Sequence, residues 1–164
     1  MQNTMPIGHF YIPISFLIMA LFYLKELGGF INRKIIIGFI VLFEVFCIIN
    51  SVFIQSLLQF PNIAGSTGAI ILLVFSIVLF NKIMVEAKIK KLFAEPLVWI
   101  NTGVLLYYSA NLFFYALFNY SVVRNLEFAK FTVNLFSVFN LLFYLLIAIG
   151  FWKAGKQVKR VKPF

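Results

Sequence analysis

Residues 35–60, IIIGFIVLFEVFCIINSVFIQSLLQF, form a continuous apolar stretch with a single charged side chain, Glu44. An α-helix rises about 1.5 Å per residue, so about 20 apolar residues cross the roughly 30 Å hydrocarbon core of a bilayer. A strand of a membrane barrel would be shorter and would alternate apolar with polar residues. The stretch therefore predicts a transmembrane helix that is longer than a bilayer requires and that tilts or projects beyond the core.

Four more apolar stretches predict helices over about 7–24, 67–84, 97–117 and 131–151, and Pro61 and Gly65 are expected to break the chain between the second and third helices. The chain is 63% hydrophobic and 12% charged. A soluble domain is about half apolar and about a quarter charged. We therefore expect an all-α fold, an integral membrane bundle of five transmembrane helices in one domain over residues 1–164, with a basic tail at 153–164.

The positive charges lie in alternate gaps between the predicted helices. All but two of the 14 Lys and Arg residues lie at or after the ends of the first and third helices or in the tail, and the exceptions are Arg124 and Lys130. The positive-inside rule places the basic segments in the cytoplasm and the N-terminus outside, as expected for a multi-pass protein of a bacterial inner membrane. The net charge of +9 suits loops beside anionic lipid, so the bilayer rather than nucleic acid is the expected partner.

Residues 82–93, KIMVEAKIKKLF, predict an extension of the third helix into the cytoplasm. Glu86 and Lys90 are spaced i, i+4 with the acid first, which mildly stabilises a helix. A partner-docking surface is the alternative interpretation of this segment.

Polar residues recur every three or four positions on the second, fourth and fifth helices. Such stripes should face other helices rather than lipid, so they predict a shared polar interior. The third helix has Ser76 as its one mid-span polar residue and is expected to be peripheral. The stripes could make interhelical hydrogen bonds, line a ligand pocket or form an ion or proton path. The candidate residues are Glu44, Ser51, Gln55, Asn101, Tyr108, Asn111, Asn134, Asn140 and Tyr144.

Glu44 is the one acid predicted to lie well inside the membrane, where a charged and unpaired carboxylate is costly. It is either a neutral hydrogen-bonding acid or a ligand contact or proton-sensitive switch. The chain has one His, His9, one Cys, Cys47, and no Asp, so neither a metal site nor a cofactor is expected. No phosphate-binding, dinucleotide-binding or nucleophile motif occurs. Glu44 and His9 are the one pair available for acid–base catalysis and should lie at different depths, so we do not expect an enzyme.

Several short motifs together resemble a family of uncharacterised bacterial membrane proteins that typically have seven helices. They are HFYIP at 9–13, NS at 50–51, PLVWINTG at 96–103, NLF at 111–113 and AIGFW at 148–152, with Gln55, Asn134 and Asn140. The resemblance implies that the first two of seven helices are lacking here, which preserves the orientation. Ser15 stands where the family pattern has an acidic residue. Some similar proteins are encoded near two-component regulators, which implies a sensory or accessory role.

These observations predict a sensory or accessory membrane module without catalytic activity, in which a small or lipid-like ligand or a partner helix binds the polar helix faces. The candidate partners are a membrane or cytoplasmic signalling protein and a second copy of the chain. The first alternative is a small transporter or permease subunit that uses Glu44 as its proton carrier. The second is a truncated or degenerate copy without independent activity.

Overall fold

The structure, a computed structural model, describes residues 5–86, 92–124 and 126–161. Its five long helices are α1 (Met5–Glu26), α2 (Arg33–Ile49), α3 (Asn62–Glu86), α4 (Pro96–Arg124) and α5 (Leu126–Val161). A π-helical turn at Asn50–Ile54 continues α2, and a 3₁₀ turn at Leu92–Ala94 precedes α4. All five helices are long and apolar enough to span a membrane, which confirms the predicted all-α, five-helix fold.

The second helix is shorter than the sequence predicted, because it ends at Ile54 and not near residue 60. The Gln55 backbone is extended (φ −118°, ψ 131°), and its N–H donates to the Asn50 carbonyl oxygen at 2.7 Å. A proline disfavours helical backbone at the residue before it, so Pro61 keeps the end of this segment out of the helix. The third helix begins directly after that proline, so Gly65 lies in its first turns and does not break the chain as expected.

The third helix lies at the centre of the bundle, and the prediction that it is peripheral was wrong. It packs against α1, α2 and α4. A Cβ atom added to Gly68 would lie 2.8 Å from Phe43 Cζ, and one added to Gly65 would lie 2.9 Å from Tyr115 Cε2. Small residues let helices in a membrane approach closely, and a helix that is apolar all round is typically a buried one.

The fifth helix lies on the outside of the bundle. It packs on α4, with Tyr107 stacked on Phe143 and Phe114 stacked on Phe136, each pair with ring centroids 4.6 Å apart. Most of its other side chains are exposed, so its surface is apolar and available to lipid. It continues as a helix to Val161, so most of the predicted basic tail is a helical extension.

The basic gaps meet at one end of the bundle, called the basic end below. There the Lys82 ammonium donates to the Glu26 carbonyl oxygen at 2.6 Å, which joins the ends of α3 and α1. Lys153 Nζ lies 5.3 Å from the Trp99 ring centroid, which joins α5 to the start of α4. The predicted pairing of Glu86 with Lys90 falls outside the described residues. Lys82 lies 3.8 Å from Glu86 instead. The indoles of Trp99 and Trp152 both lie at this end, which suits a membrane interface.

Candidate functional site

A buried hydrogen-bond network joins α1, α3 and α4 inside the bundle, on the side nearer the basic end. The Tyr23 hydroxyl donates to Asn101 Oδ1 at 2.8 Å, and Asn101 Nδ2 donates to the Ser76 carbonyl oxygen at 2.8 Å. The Ser76 hydroxyl donates to the Asn101 carbonyl oxygen at 3.4 Å. All three residues are 0% exposed. Asn101 was a predicted site residue, and its amide is used within the protein, so this geometry suits a structural role.

A second network closes the loop between α2 and α3 at the end opposite the basic end. Gln55 Oε1 accepts from Asn50 Nδ2 at 3.1 Å and from the Ile63 N–H at 3.2 Å, while Gln55 Nε2 donates to Asn62 Oδ1 at 2.6 Å. The first backbone N–H groups of a helix lack partners within the helix. Here the Gln55 side chain supplies an acceptor for one of them, the Ile63 N–H. This predicted site residue therefore ties the π-helical turn to the start of α3.

His9 joins α1 to the same region. Its Nε2 lies 3.1 Å from the Gln59 carbonyl oxygen, and its Nδ1 lies 2.9 Å from the Ser51 hydroxyl. A carbonyl oxygen can only accept, so Nε2 carries the proton, and in a neutral imidazole Nδ1 then accepts from Ser51. The side chain is 7% exposed. Ser51, another predicted site residue, therefore anchors α1 against the π-helical turn.

Glu44 lies near the middle of the second membrane span, Arg33–Ile54. It is half-buried, and among the described residues none donates a hydrogen bond to its buried Oε1 atom. It lines a cavity of about 250 Å³ between α1 and α2, called the Glu44 cavity below, together with His9, Cys47 and Ser51. Ser51, the partner of His9, is about 10 Å further along the helix than Glu44. Glu44 and the His9–Ser51 pair therefore lie at different depths along the bundle and still line the same cavity.

A larger opening separates α1 from the α4–α5 pair. It consists of two cavities of about 270 and 330 Å³ that share Tyr11 and Tyr107, and both are called the tyrosine cleft below. The predicted site residues Tyr108 and Tyr144 line the first cavity, and Asn140 lines the second. The walls are apolar, with Ile14, Ile18, Phe136 and Phe143 among them. The cleft therefore combines hydroxyl and amide groups with an apolar lining.

The remaining predicted site residues lie apart from these cavities. Asn111 is 0% exposed, and its Nδ2 donates to the Tyr107 carbonyl oxygen at 3.0 Å, while Oδ1 accepts no hydrogen bond from the part of the chain that the structure describes. Asn134 is exposed on α5. The three polar stripes are therefore divided among two hydrogen-bond networks, two separate openings and an exposed face, and do not form the single polar interior expected.

Sequence reasoning missed the contribution of α1. Tyr11 and Ser15 face the tyrosine cleft, and Tyr23 donates to Asn101 in the network that joins α1, α3 and α4. Tyr11 and Ser15 are spaced i, i+4, a signal that places both on one helix face. The first helix was predicted from the sequence as an apolar span, so this stripe was not recognised.

Within residues 5–86, 92–124 and 126–161, no three His, Cys, Asp or Glu side chains are close enough to hold a metal ion. No family model, curated protein or solved structure matches this chain.

Proposed function

We propose that this multi-pass membrane protein is a non-catalytic sensory or accessory module that binds an amphipathic, lipid-like ligand in the tyrosine cleft. The observation that carries this proposal is the cleft itself, which brings Tyr11, Tyr107, Tyr144 and Asn140 from three helices to one opening. Ligand sites are concave and mostly apolar, with a few convergent polar groups that orient the ligand. The resemblance to membrane proteins encoded near two-component regulators implies the same class of role.

The cleft differs from an ordinary lipid-facing depression in its polar groups. An opening of about 320 Å³ between α4 and α5, called the apolar crevice below, is lined mainly by apolar side chains such as Leu106, Phe113 and Leu135. Any acyl chain can fill such a surface. In the cleft, Tyr144 is 63% exposed, and its hydroxyl needs a polar partner in a medium without water. A ligand with a polar group along an apolar body satisfies both kinds of surface.

Binding in the cleft would also change the packing of the bundle. Within the described ranges, α5 packs on α4 and makes little backbone contact with α1, so a ligand held by Tyr11 and Tyr144 would bridge helices that the protein leaves apart. Helix α5 also carries Lys153 and Lys156 at the basic end. A ligand shifts a conformational equilibrium only by its difference in affinity for two states. A state in which α5 has closed toward α1 around the ligand would bind it more tightly than the open state. The movement of α5 would then displace its lysines at the basic end.

Photocrosslinking from two matched serine positions tests the proposal. A photoreactive side chain replaces Ser15 in the cleft or Ser109 in the apolar crevice, and the adducts formed in native membranes are identified by mass spectrometry. We expect Ser15 to capture one class of polar amphiphile at a frequency well above its share of membrane lipid, whereas Ser109 captures lipids in their bulk proportions. Adducts of the same composition at both positions would contradict the proposal.

A transporter that uses Glu44 is the second candidate, favoured by a mid-span carboxyl group that lines a cavity and whose Oε1 atom has no hydrogen-bond partner among the described residues. Ionisable groups at membrane depth commonly belong to proton relays. Reconstituted into liposomes, such a protein would show pH-dependent uptake that Glu44→Gln abolishes. Uptake that is unchanged in Glu44→Gln would rule out this role for the carboxyl group.

A further inference from the structure

The Glu44 cavity shares no lining residue with the tyrosine cleft and is a separate place for a ligand. Phe10 and Pro13 of α1 form one wall, and Ile48 and Val52 on the α2 side form the other. Phe10 is 69% exposed and Val52 is 66% exposed. The cavity therefore opens sideways between α1 and α2, toward the space that lipid occupies.

With His9 neutral and Glu44 ionised, the polar atoms that remain available in this cavity are hydrogen-bond acceptors. His9 Nε2–H is used by the Gln59 carbonyl oxygen, and the Ser51 hydroxyl proton is used by His9 Nδ1. Of these two side chains, only the Ser51 oxygen still has lone pairs that can accept a hydrogen bond from a ligand. Glu44 lines the cavity, and the buried Oε1 atom of its carboxyl group has no donor among the described residues.

Pro13 adds another acceptor on the same side of α1. The helix runs without interruption from Met5 to Glu26 with Pro13 inside it. Proline has no backbone N–H, so the carbonyl oxygen of His9, four residues earlier, receives no helical hydrogen bond from it. His9 and Pro13 both line the cavity, and a helical carbonyl group points toward the residue four positions later, so this carbonyl group lies between them. The polar part of the cavity therefore calls for a ligand that donates hydrogen bonds and carries positive charge.

We propose that the Glu44 cavity binds the ammonium head of a long-chain amine, whose alkyl chain passes between Phe10 and Val52 into the bilayer. An ammonium group has three donors and no acceptor, which complements this lining. A carboxylate in hydrocarbon is costly unless it is paired, and the ammonium group supplies the missing charge. A cavity of about 250 Å³ holds the head and the first methylene groups, and the remaining chain stays in lipid.

A bare metal ion fits this cavity less well than an amine. Hard cations take about six or more oxygen ligands, and Glu44 offers one carboxylate. The described residues contain no group of three potential metal-ligating side chains. A monatomic cation is therefore an outcome that the test must separate from an amine.

Cys47 is a built-in reporter for occupancy. It is the single cysteine in the chain, lines the same cavity and is 4% exposed. The full-length protein is placed in phosphatidylcholine nanodiscs, and the rate of its modification by N-ethylmaleimide is measured with dodecylamine or with dodecanol, which has the same chain and no charge. We expect dodecylamine to slow modification by about tenfold and dodecanol by less than about twofold, because charge-assisted hydrogen bonds are the stronger ones.

Two substitutions of the carboxyl group complete the test. Glu44→Gln keeps the shape and removes the charge, so it should abolish protection by dodecylamine, whereas Glu44→Asp keeps the charge and should retain much of it. Equal protection in wild type and Glu44→Gln, protection by dodecanol as strong as that by dodecylamine, or protection by sodium chloride alone overturns the proposal. Circular dichroism of each variant shows whether the helices remain formed.

A variant at the mouth of the cavity gives an independent measurement. Val52→Trp narrows the opening at an exposed position and leaves the carboxyl group in place. Dodecylamine should raise the thermal unfolding midpoint of the wild-type protein and leave that of Val52→Trp unchanged, since a ligand that binds the folded state stabilises it. An equal rise in both proteins places the amine elsewhere and contradicts the site.

Discussion

Removal of the hydrogen bond between Tyr23 and Asn101 should destabilise the bundle in a way that a double-mutant cycle can isolate. The bond is 2.8 Å long and joins α1 to α4 between two side chains that are 0% exposed. Tyr23→Phe leaves Asn101 Oδ1 buried without a donor, which costs about 1–2 kcal/mol. Asn101→Leu leaves the Tyr23 hydroxyl without its amide acceptor and removes the bond to the Ser76 carbonyl oxygen, which keeps its partner within α3, so we expect a loss of about 1–3 kcal/mol.

The double variant should lose less than the sum of the single variants, because Tyr23→Phe removes a group that Asn101→Leu leaves stranded. Interhelical hydrogen bonds in membrane proteins show coupling energies of about 0.6 kcal/mol on average and up to about 1.7. Since both partners are fully buried and the distance is short, we expect a value of about 1–1.7 kcal/mol for this pair. The free energy of unfolding is measured by titration with sodium dodecyl sulfate in mixed micelles and followed by circular dichroism.

Ser137 provides the control for the cycle. Its hydroxyl donates to the Val133 carbonyl oxygen within exposed α5, so Ser137→Ala combined with Tyr23→Phe should be additive within about 0.3–0.5 kcal/mol. A coupling energy for Tyr23 and Asn101 that is no larger than this control would refute the structural role. If Asn101 were a ligand contact instead, Asn101→Leu would weaken binding and leave the free energy of unfolding almost unchanged.

Three further outcomes test the packing, the loop network and the orientation. Gly68→Ala should lower the free energy of unfolding by about 1–3 kcal/mol because its Cβ meets the buried Phe43 ring, whereas Gly38→Ala, with no described atom within 4 Å of the added Cβ, should raise it by up to about 1 kcal/mol. Equal effects would contradict the close approach of α2 and α3. Gln55→Leu should speed amide hydrogen exchange at the start of α3 by about tenfold or more, since it removes the acceptor of the Ile63 N–H, and Gln59→Leu should not. The same exchange rate in both variants would contradict the role of Gln55 in the loop network. A fluorescent protein fused after the last residue should fluoresce and alkaline phosphatase fused there should be inactive, because the basic end is predicted to be cytoplasmic; the reverse pattern would invert the topology.

The candidate site was only partly predictable, and the reason lies in how polar side chains are paired. Spacing on α2 placed Glu44, Ser51 and Gln55 on one stripe but did not show what each one contacts. Ser51 meets His9 from a helix 42 residues earlier in the chain, and Asn101 meets Tyr23 from a helix 78 residues earlier. Such pairings depend on which helices are neighbours, and a single helix pattern carries no information on that.

The sequence by itself determined the five helices and the separation of the basic gaps from the nearly uncharged ones. In hydrocarbon every backbone polar group must be satisfied within its own segment, so a long apolar run is helical whatever surrounds it. Only the tertiary structure decided that α3 is central and α5 peripheral, and that Tyr11 and Glu44 line separate openings. Lipid tails are as apolar as leucine, so hydrophobicity does not mark the buried face of a membrane helix. Close contacts at Gly65 and Gly68 and hydrogen bonds between helices select that face instead.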